Sequence, residues 1–474
     1  MRQDRESPAW STLLELDDRP EGPLHRRLCG ALRSAVVGGR IAPGSALPPS
    51  RVLAADLGCS RWVITEAYTQ LIAEGYLEAR SGSATRVRAT AVPDQRRPHA
   101  KPRVAAPVEF EMLPGMPDLR AFPRKRWADA VREVTASIAS SDLGYPDVLG
   151  HPRLRERLAA YLVRGRGAVA SADDLVVCNG TLDGVVRMCR VLRSAGHTHV
   201  AVEDPGWSRL SSAVSAVGLT PVPVAVDRDG LRIDRLRASP RTRAVVVAPA
   251  HQFPTGTVLS PARRAELLDW AREVDGLVLE DDYDAEFRYD RRPVGTVQGM
   301  DSARVALMGS LSKTLSPALR IGWVVAPPRW AEAMHEAAVA VTPPPVIDQL
   351  AFAAFLDAGW YDGHLRASRL RYRSRRDLLL AELASALPGL EISGAAAGFH
   401  LLLHLDGRGA ARVVHRAARR GLRLVDLDEY RMGARPGPPA LVLGYGNLSD
   451  AAVPEAVGRL SEAVRTAGIS RTRE

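Results

Sequence analysis

Apolar residues near the beginning of the chain recur every four positions, from Leu24 to Val36. This spacing places them on one face of a helix, and glycines or serines separate the helical stretches that follow. The pattern predicts three helices and then two short strands: Pro23–Val37, Arg51–Leu57 capped by Ser50, Arg61–Glu74 capped by Ser60, and a strand pair within residues 76–89. Two short helices joined by a tight turn and followed by a hairpin are typical of a winged helix-turn-helix.

The longer, C-terminal part of the chain instead alternates short apolar runs with amphipathic helical stretches. The strand-length runs include Leu175–Cys178, His199–Val202, Ala244–Ala248, Leu277–Leu279, Arg304–Met308 and Ile321–Val325. Helical patterns such as Pro261–Glu273 lie between many of them, which predicts a mainly parallel sheet covered by helices on both faces. After Tyr361, a long helix over His364–Leu387 and strands at Phe399–Leu405 and Ala440–Gly444 predict a smaller C-terminal α+β lobe.

The stretch between these two patterns has almost nothing to bury. Residues 91–107 hold four prolines and five Arg, Lys or His residues, a composition that predicts an extended, solvated linker. The sequence therefore predicts a multidomain protein, with a winged-helix domain at 10–90, a linker at 91–107 and a large α/β domain at 108–474.

The composition narrows the class of protein. The chain has 474 residues, of which 46% are hydrophobic and 25% charged, as in folded globular proteins rather than disordered ones. No apolar run approaches the ~18 residues that a membrane span needs, and no apolar segment follows the first charged residues. We therefore expect neither a membrane anchor nor a signal peptide. The four cysteines have no metal-ligand spacing, which favours a reducing cytoplasm and predicts neither disulfides nor a metal site.

Basic charge is concentrated near the N-terminus. From Pro23 to Pro107 there are 13 Lys or Arg and 5 Asp or Glu residues, so this segment carries +8 of the chain's net charge of +10. Such a segment beside a nearly neutral remainder indicates a nucleic-acid-binding module, although a solvated basic surface or a three-helix unit without DNA function would share the pattern. Because the second helix of the pair enters the major groove, the predicted DNA contacts are Ser60, Arg61, Trp62 and Thr65, with Arg51 and Arg80 at phosphates.

The same segment resembles the GntR-type winged helix. The matching passages are RIAPGSALPPSR (40–51), LAADLG (53–58), SR (60–61), AYTQL (67–71) and AEGYL (73–77). The resemblance implies that this part of the chain binds double-stranded DNA.

Lysine is rare in this chain, which helps to locate chemistry that needs an amine. There are three lysines, Lys101, Lys125 and Lys313, against 61 arginines. Lys313 follows a predicted strand and is flanked by small hydroxyl residues, a setting in which a lysine can form a Schiff base with an aldehyde cofactor. Ser310, Ser312 and Arg320 can hold the phosphate of that cofactor. The alternative is a lysine on a surface loop.

An acidic passage follows another predicted strand. Asp281 and Tyr283 are two residues apart, so they face the same side of an extended chain. Pyridoxal phosphate needs such a pair, because a carboxylate keeps its pyridine nitrogen protonated and a phenol hydrogen-bonds its ring hydroxyl. A solvated acidic loop is the alternative interpretation, and it suits Asp282, Asp284 and Glu286 better than Asp281.

Two further strand ends agree with this cofactor. Gly180 and Thr181 lie between a predicted strand and the next helix, where backbone N–H groups and the helix dipole form an anion site. Trp207 closes the passage Glu203–Trp207 after another strand, and it could stack on a pyridine ring. An isolated tryptophan, however, more often belongs to the core.

Together these passages resemble fold-type-I pyridoxal-phosphate enzymes, the aspartate aminotransferase superfamily. With the winged helix, the chain resembles the MocR-type regulators, the GntR subgroup with an aminotransferase-like domain. Further matching segments are YPDVLGHPRLRERLAAYL (145–162), HQFPTG (251–256), SPARRAELLDWA (260–271), EDDYDAEFRY (280–289) and SKTLSPALRIGW (312–323).

The resemblance implies pyridoxal 5'-phosphate as the cofactor and Lys313 as the Schiff-base lysine. It assigns the cofactor contacts to Gly180, Thr181, Trp207, Asp281, Tyr283, Ser310, Ser312 and Arg320. It also implies that Arg209 contacts an effector carboxylate and that Tyr145 reaches a phosphate in a partner subunit. The implied assembly is a homodimer in which each winged helix packs against the other subunit's large domain.

One departure from aminotransferases affects the expected function. Those enzymes hold the substrate α-carboxylate with an arginine near the final strand, and here that strand is LVLGY (441–445). We therefore expect a transcription regulator that senses pyridoxal phosphate, alone or with an amine, and that controls vitamin B6 or amino-acid metabolism. A working aminotransferase with a DNA tether is the second hypothesis. A DNA-binding scaffold with an inactive pocket is the third, and intact Lys313, Asp281 and Tyr283 argue against it.

Overall fold

The computed structural model describes residues 10, 14, 22–79, 84–88, 108–290, 294–339, 341–407, 409–433 and 437–467. The chain divides into two compact units, Met1–Val104 and Ala105–Glu474, and each is described by itself. The predicted linker at 91–107 and the predicted wing residue Arg80 lie outside the described residues. Within the described ranges, no helix has both the length and the apolar character needed to cross a bilayer.

The first unit contains the predicted three helices and strand pair. They are α1 (Leu24–Val37), α2 (Ser50–Asp56), α3 (Arg61–Ala73), β1 (Leu77–Glu78) and β2 (Arg86–Val87), with the two strands antiparallel. The core includes Leu28, Leu32, Leu53, Ile64 and Leu71, each at most 1% exposed. Burial of each such side chain contributes about 1.5–3 kcal/mol, which accounts for the regular apolar spacing along α1.

The predicted helix caps in this unit are not formed. Ser50 is the first residue of α2 rather than its cap, and its Oγ accepts a hydrogen bond from Arg61 Nε at 3.2 Å. Ser60 does occupy the position before α3, but its side chain makes no capping hydrogen bond. The hydroxyl of Ser50 therefore orients an arginine of the neighbouring helix instead of closing its own.

The second unit begins with a short strand, β3 (Phe110–Glu111), and is built on a large eight-stranded sheet. In chain order the strands of that sheet are β4 (Leu175–Cys178), β5 (His199–Asp204), β6 (Thr220–Asp227), β7 (Gly230–Leu231), β8 (Thr242–Val247), β9 (Leu277–Asp281), β10 (Val305–Ser310) and β11 (Gly322–Val325). Their order across the sheet is β4-β11-β10-β9-β8-β5-β6-β7. The pairs from β10 to β6 are parallel, which confirms the mainly parallel sheet, while β11 is antiparallel to both neighbours.

Helices cover both faces of this sheet. They are α4 (Arg124–Ser137), α5 (Pro152–Arg166), α6 (Thr181–Ser194), α7 (Ser208–Ala216), α8 (Ile233–Arg237), α9 (Pro261–Glu273), α10 (Pro328–Val339) and α11 (Val346–Asp357). Alternate strand residues enter different apolar clusters: Val177 and Leu307 belong to one, Val176 and Met308 to another. Successive side chains of a strand point to opposite faces, so two clusters are what a doubly covered sheet requires.

The predicted smaller lobe follows the 27-residue helix α12 (Trp360–Ala386). Its elements are β12 (Ile392–Ser393), β13 (His400–His404), α13 (Ala410–Ala418), β14 (Leu422–Arg423), β15 (Val425–Asp426), β16 (Ala440–Gly444) and α14 (Val453–Thr466). Four of the strands form an antiparallel sheet in the order β12-β13-β16-β15, and β14 pairs in parallel with β3.

The segments that the sequence predicts to bind a cofactor meet at one edge of the large sheet. Strands β4, β5, β8, β9 and β10 run in one direction, so their carboxyl ends meet at this edge, and the reversed strand β11 begins there. In open α/β sheets, ligands bind beyond the carboxyl ends of the strands. The topology therefore predicts a binding site at this edge.

Candidate functional site

A cavity of about 530 Å³ lies at this edge of the sheet. Its walls come from the ends of β4, β5, β8, β9 and β10 and from the loop before β11, together with residues of β3 and the C-terminal lobe. Ten residues singled out from the sequence line it: Gly180, Thr181, Trp207, Arg209, Asp281, Tyr283, Ser310, Ser312, Lys313 and Arg320. The fold thus brings together side chains that are far apart in the chain.

Lys313 lies shortly after β10, and its amine is largely shielded from water. Its Nζ donates a hydrogen bond to the carbonyl oxygen of Gly115 at 2.6 Å. Burial lowers the pKa of Lys313, and the negative charges of Asp284 and Asp281 oppose this only in part. A lower pKa leaves more unprotonated amine near neutral pH, and that form attacks an aldehyde.

Asp281 is the last residue of β9 and lines the cavity. Its side chain is buried, and Oδ1 has no hydrogen-bond partner among the described residues. Burial, together with the charges of Asp282 and Asp284, raises the pKa of Asp281 to about 7, while Lys313 acts in the opposite direction. A protonated ring nitrogen would supply the donor that this carboxyl group lacks.

The neighbouring acidic residues are not solvated, so the interpretation of this passage as an exposed acidic loop is wrong. Asp282, Asp284 and Glu286 are each at most 8% exposed. Asp282 accepts two hydrogen bonds from Arg166, at 2.7 and 2.8 Å, and Tyr161 Oη donates to Glu286 at 3.1 Å. These partners belong to α5, more than a hundred residues earlier, and no local sequence pattern shows them.

The predicted phosphate turn lies at the start of α6. Gly180 precedes the first helical residue, Thr181, whose buried Oγ1 has no partner among the described residues. Arg320 Nη2 donates a hydrogen bond to Asn179 O beside this turn. A Cβ at Gly322 would lie only 2.5 Å from Gly180 Cα, so the close approach of β11 to the turn depends on glycine. Free backbone donors at a helix start suit an anion.

The remaining predicted residues fall into two groups. Trp207 precedes α7 and Arg209 is exposed on its first turn, and both line the cavity, as do Ser310 and Ser312. Tyr145 does not line it: its relative exposure is 104%, on a segment at the surface of the single chain. Its predicted contact with a phosphate therefore requires a second subunit.

Sequence reasoning missed three titratable residues of this region. Glu203 and His400 line the cavity, and His251 lies next to Tyr283. Burial raises the pKa of Glu203 to about 8 and holds the pKa of His400 well below its usual value. Glu203 and His251 stand at or just after strand ends, a position that could have indicated them. His400 begins an apolar strand, and nothing in that pattern distinguishes it from a core residue.

The first unit exposes the surface predicted to bind DNA. Arg51 on α2 and the residues at the start of α3, namely Ser60, Arg61, Trp62 and Thr65, are all exposed. Trp62 is 62% exposed, with its ring 5.6 Å from that of His25. The first turn of α3 thus presents basic, polar and aromatic side chains to solvent, as a DNA-reading helix does.

The folds and the two surfaces define a DNA-binding regulator that carries an aminotransferase-like domain. Residues 24–87 match the model of bacterial regulatory proteins of the gntR family, and residues 116–459 match aminotransferase class I and II. The chain belongs to the MocR-type transcriptional regulators, in which a GntR-type winged helix precedes such a domain.

Individual relatives and a solved structure support this assignment. The probable rhizopine catabolism regulatory protein MocR of Rhizobium meliloti is 34% identical over 95% of this chain and 96% of its own. The HTH-type pyridoxine biosynthesis transcriptional regulator PdxR of Corynebacterium glutamicum is 29% identical over 92% of this chain and 94% of its own. An archaeal alanine:glyoxylate aminotransferase shares the fold, with a TM-score of 0.70 and 24% identity over 76% of this chain and 91% of its own.

Pyridoxal phosphate is the cofactor that the aminotransferase-like domain implies, and the cavity fits it. The fit rests on the half-buried amine of Lys313, on the unpartnered oxygen of Asp281 and on the unpartnered hydroxyl of Thr181 at a helix start, both unpartnered among the described residues. When bound, pyridoxal phosphate supplies an aldehyde carbon that bonds to an amine and a ring that withdraws electrons from it.

Proposed function

We propose that the protein is a transcription regulator whose affinity for DNA depends on whether pyridoxal phosphate, alone or with a reactive amine, occupies the cavity. The observation that carries the proposal is one cavity lined by Lys313, Asp281 and Tyr283 in a chain that also exposes a DNA-reading helix. Because its target is chromosomal DNA, we place the protein in the cytoplasm. The relative PdxR, named as a regulator of pyridoxine biosynthesis, supports control of vitamin B6 genes, with amino-acid metabolism as the alternative.

Each cavity residue receives a role in this proposal. Lys313 attaches the cofactor, Asp281 pairs with its ring nitrogen, and Tyr283 hydrogen-bonds its ring oxygen. Trp207 stacks on the ring. The phosphate contacts are Gly180, Thr181, Ser310, Ser312 and Arg320, with Tyr145 from a partner subunit.

The arginines of the cavity limit the kind of effector. Among the described residues, Arg320 and Arg209 are the arginines that line it, and Arg320 lies beside the phosphate turn. The final strand, β16, contributes no arginine. A substrate held by two arginines therefore does not fit, and either the cofactor itself or an amine with one acid group held by Arg209 is the signal. Catalysis needs a firmly held substrate, so an active aminotransferase is the weaker hypothesis.

The proposal is tested by titrating the full chain onto DNA from the region upstream of its own gene, with and without saturating pyridoxal phosphate. Coupling between two sites typically amounts to about 5- to 150-fold in affinity, and we expect a change of at least about fivefold, measured by fluorescence anisotropy. Equal affinities in the two conditions would contradict a cofactor-sensing role. Steady transamination of amino acids at the rates of an enzyme would favour the second hypothesis.

Arg61→Ala tests whether the DNA binding measured in this titration uses the predicted surface. It should weaken DNA binding with and without the cofactor, by about 1–3 kcal/mol if Arg61 contacts a guanine. Arg26→Ala removes an exposed arginine from α1 and serves as the matched control. An equal loss of affinity in the two variants would show a general charge effect instead of a specific contact.

We expect a homodimer, because a single winged helix offers little area for reading bases and because Tyr145 and Leu143 expose apolar surface beside the large domain's N-terminal helices. The 17 residues of the predicted linker could span roughly 55–60 Å when extended, enough for each winged helix to reach the other subunit's large domain. Light scattering should give about 102 kDa, twice the chain mass of 51.2 kDa. A monomer at micromolar concentration with cofactor bound would contradict this assembly.

A further inference from the structure

A buried histidine–carboxylate pair lies directly behind Tyr283. His251 follows β8 and Asp284 follows β9, and His251 Nδ1 is 2.8 Å from Asp284 Oδ2. Both side chains are only 1% exposed. The resemblance to the family includes the segment HQFPTG, which contains His251, but it implies no role for this histidine.

Tyr283 contacts the same nitrogen of His251, Nδ1. Its Oη lies 3.2 Å from His251 Nδ1, and the tyrosine also lines the cavity. An ionised carboxylate only accepts hydrogen bonds, so the contact with Asp284 requires a hydrogen on Nδ1 of His251. Nδ1 is then a donor and cannot accept the hydroxyl hydrogen of Tyr283. Because His251 already donates to Asp284 Oδ2, that hydrogen is left for an acceptor in the cavity.

The hydroxyl of Tyr283 also keeps its hydrogen across the physiological range. Burial raises its pKa well above the usual value, and the charges of Asp284 and Asp281 raise it further. The titratable or charged groups that act on this region are Asp281 and Asp284 beside β9, Glu203 of β5, Lys313 after β10, and His400 of β13. His251 and Tyr283 both contact Asp284 and therefore compete for its carboxylate.

The surrounding backbone is shaped to hold the pair. Gly398 has a φ of +59°, and a Cβ there would overlap the His251 ring and lie 2.6 Å from Asp284 Oδ2. The carbonyl of Gly398 accepts hydrogen bonds from the hydroxyls of Tyr289 and Tyr445. Two buried tyrosines therefore fix a glycine whose missing side chain makes room for the pair.

The pair is a hydrogen bond rather than half of a metal site. His251, Asp284 and His400 do offer ligand atoms within 4.8 Å of one another. Ligands about 2.0–2.1 Å from a tetrahedral zinc lie roughly 3.3 Å apart, whereas the nitrogen and oxygen here are at ordinary hydrogen-bond length.

We propose that Asp284 and His251 are positioning residues that fix the histidine tautomer and thereby reserve the hydroxyl hydrogen of Tyr283 for the ring oxygen of the cofactor. The inference rests on the proposed binding of pyridoxal phosphate in this cavity. A donor at the ring oxygen withdraws negative charge from it, and that charge stabilises the proton on Lys313 Nζ once the lysine is attached. The pair thus lowers the pH at which attached Lys313 loses its proton.

The test is a pH titration of the visible absorption band of the cofactor-loaded full chain. His251→Phe leaves Asp284 without its donor, so that this carboxylate accepts the hydroxyl hydrogen of Tyr283. The midpoint should then move upward by about 0.4–1 pH unit, the equivalent of one ordinary hydrogen bond. Tyr283→Phe should shift it in the same direction, and the double variant should shift no further than Tyr283→Phe alone. Asp284→Asn should move the midpoint less than His251→Phe does, because the loss of a negative charge that favours protonated Lys313 offsets the loss of the donor at the ring oxygen.

The control is His404→Gln, which removes a half-buried histidine hydrogen-bonded to Ser393 in the C-terminal sheet, and it should leave the midpoint unchanged. A band in the unchanged chain with no shift in His251→Phe would overturn this inference alone. So would an equal additional shift in the Tyr283→Phe background, or one zinc ion per chain in the purified protein. Absence of any band from the unchanged chain would overturn the proposed function and this inference with it.

Discussion

Lys313→Ala should abolish the visible absorption that the protein develops with pyridoxal phosphate. The amine of Lys313 lines the cavity and has a lowered pKa because it is buried, so it combines access to the cofactor with a high fraction of the reactive form. No other amine of the described large domain has this setting, since Lys125 is exposed on α4. The measurement is an absorption spectrum of each variant at saturating cofactor.

The matched control is Lys125→Ala, which should leave the spectrum unchanged. Borohydride reduction followed by peptide mapping identifies the modified residue directly, and it includes Lys101, which lies outside the described residues. Modification of Lys101 or Lys125 in the unchanged protein would overturn the assignment of the cofactor lysine. Retention of the band in Lys313→Ala would do the same.

Asp281→Ala and Asp282→Ala should change different properties of the protein. The first should weaken cofactor binding, and the second should lower the free energy of unfolding. Asp281 lines the cavity with an unpartnered oxygen, so its loss should raise the Kd for pyridoxal phosphate at least 100-fold, about 3 kcal/mol. The empty protein should not lose stability, because burial already disfavours the charge of Asp281. Asp282 instead pairs with Arg166, which is 2% exposed, and removing it leaves a buried guanidinium unpaired. That change should cost about 3–5 kcal/mol of unfolding free energy.

Two measurements separate these effects: cofactor titration and denaturation of the cofactor-free protein. The Asn variants at both positions repeat the comparison with little change in volume. Equal loss of cofactor affinity in the two variants would remove the argument that successive residues at the end of β9 face different environments. An unchanged stability in Asp282→Ala would show that Arg166 finds another partner, with Glu286 the nearest candidate.

Patterns local in sequence predicted most of the elements and much of the cavity. The strands Leu175–Cys178 and Ala440–Gly444 and the helix Pro261–Glu273 have the bounds that the apolar pattern predicts. Period-2 spacing predicted that Asp281, at the end of β9, and Tyr283, two residues later, face the same side, and both line the cavity. These features depend on residues that are close together in the chain, so the sequence alone is enough to predict them.

Features that depend on distant parts of the chain were not predictable in this way. The burial of Asp282 depends on Arg166, 116 residues earlier, and the amine of Lys313 contacts Gly115, 198 residues earlier. The ring of His400 lies 4.7 Å from that of His251 only because β13 of the C-terminal lobe comes next to the segment that follows β8. A charged residue can be assigned to solvent or to the interior only when its partner is known.

The reversal of β11 has a consequence for how the cavity assembles during folding. Because β10 and β11 are antiparallel neighbours, the short connection between them carries Ser310, Ser312, Lys313 and Arg320 to the same place. Closing a loop of this size costs little chain entropy, so this half of the site can form as a local unit. The contacts to Asp281 and to the Gly180 turn close much longer loops. We therefore expect the lysine-bearing half to gain hydrogen-exchange protection earlier in refolding than the phosphate turn does.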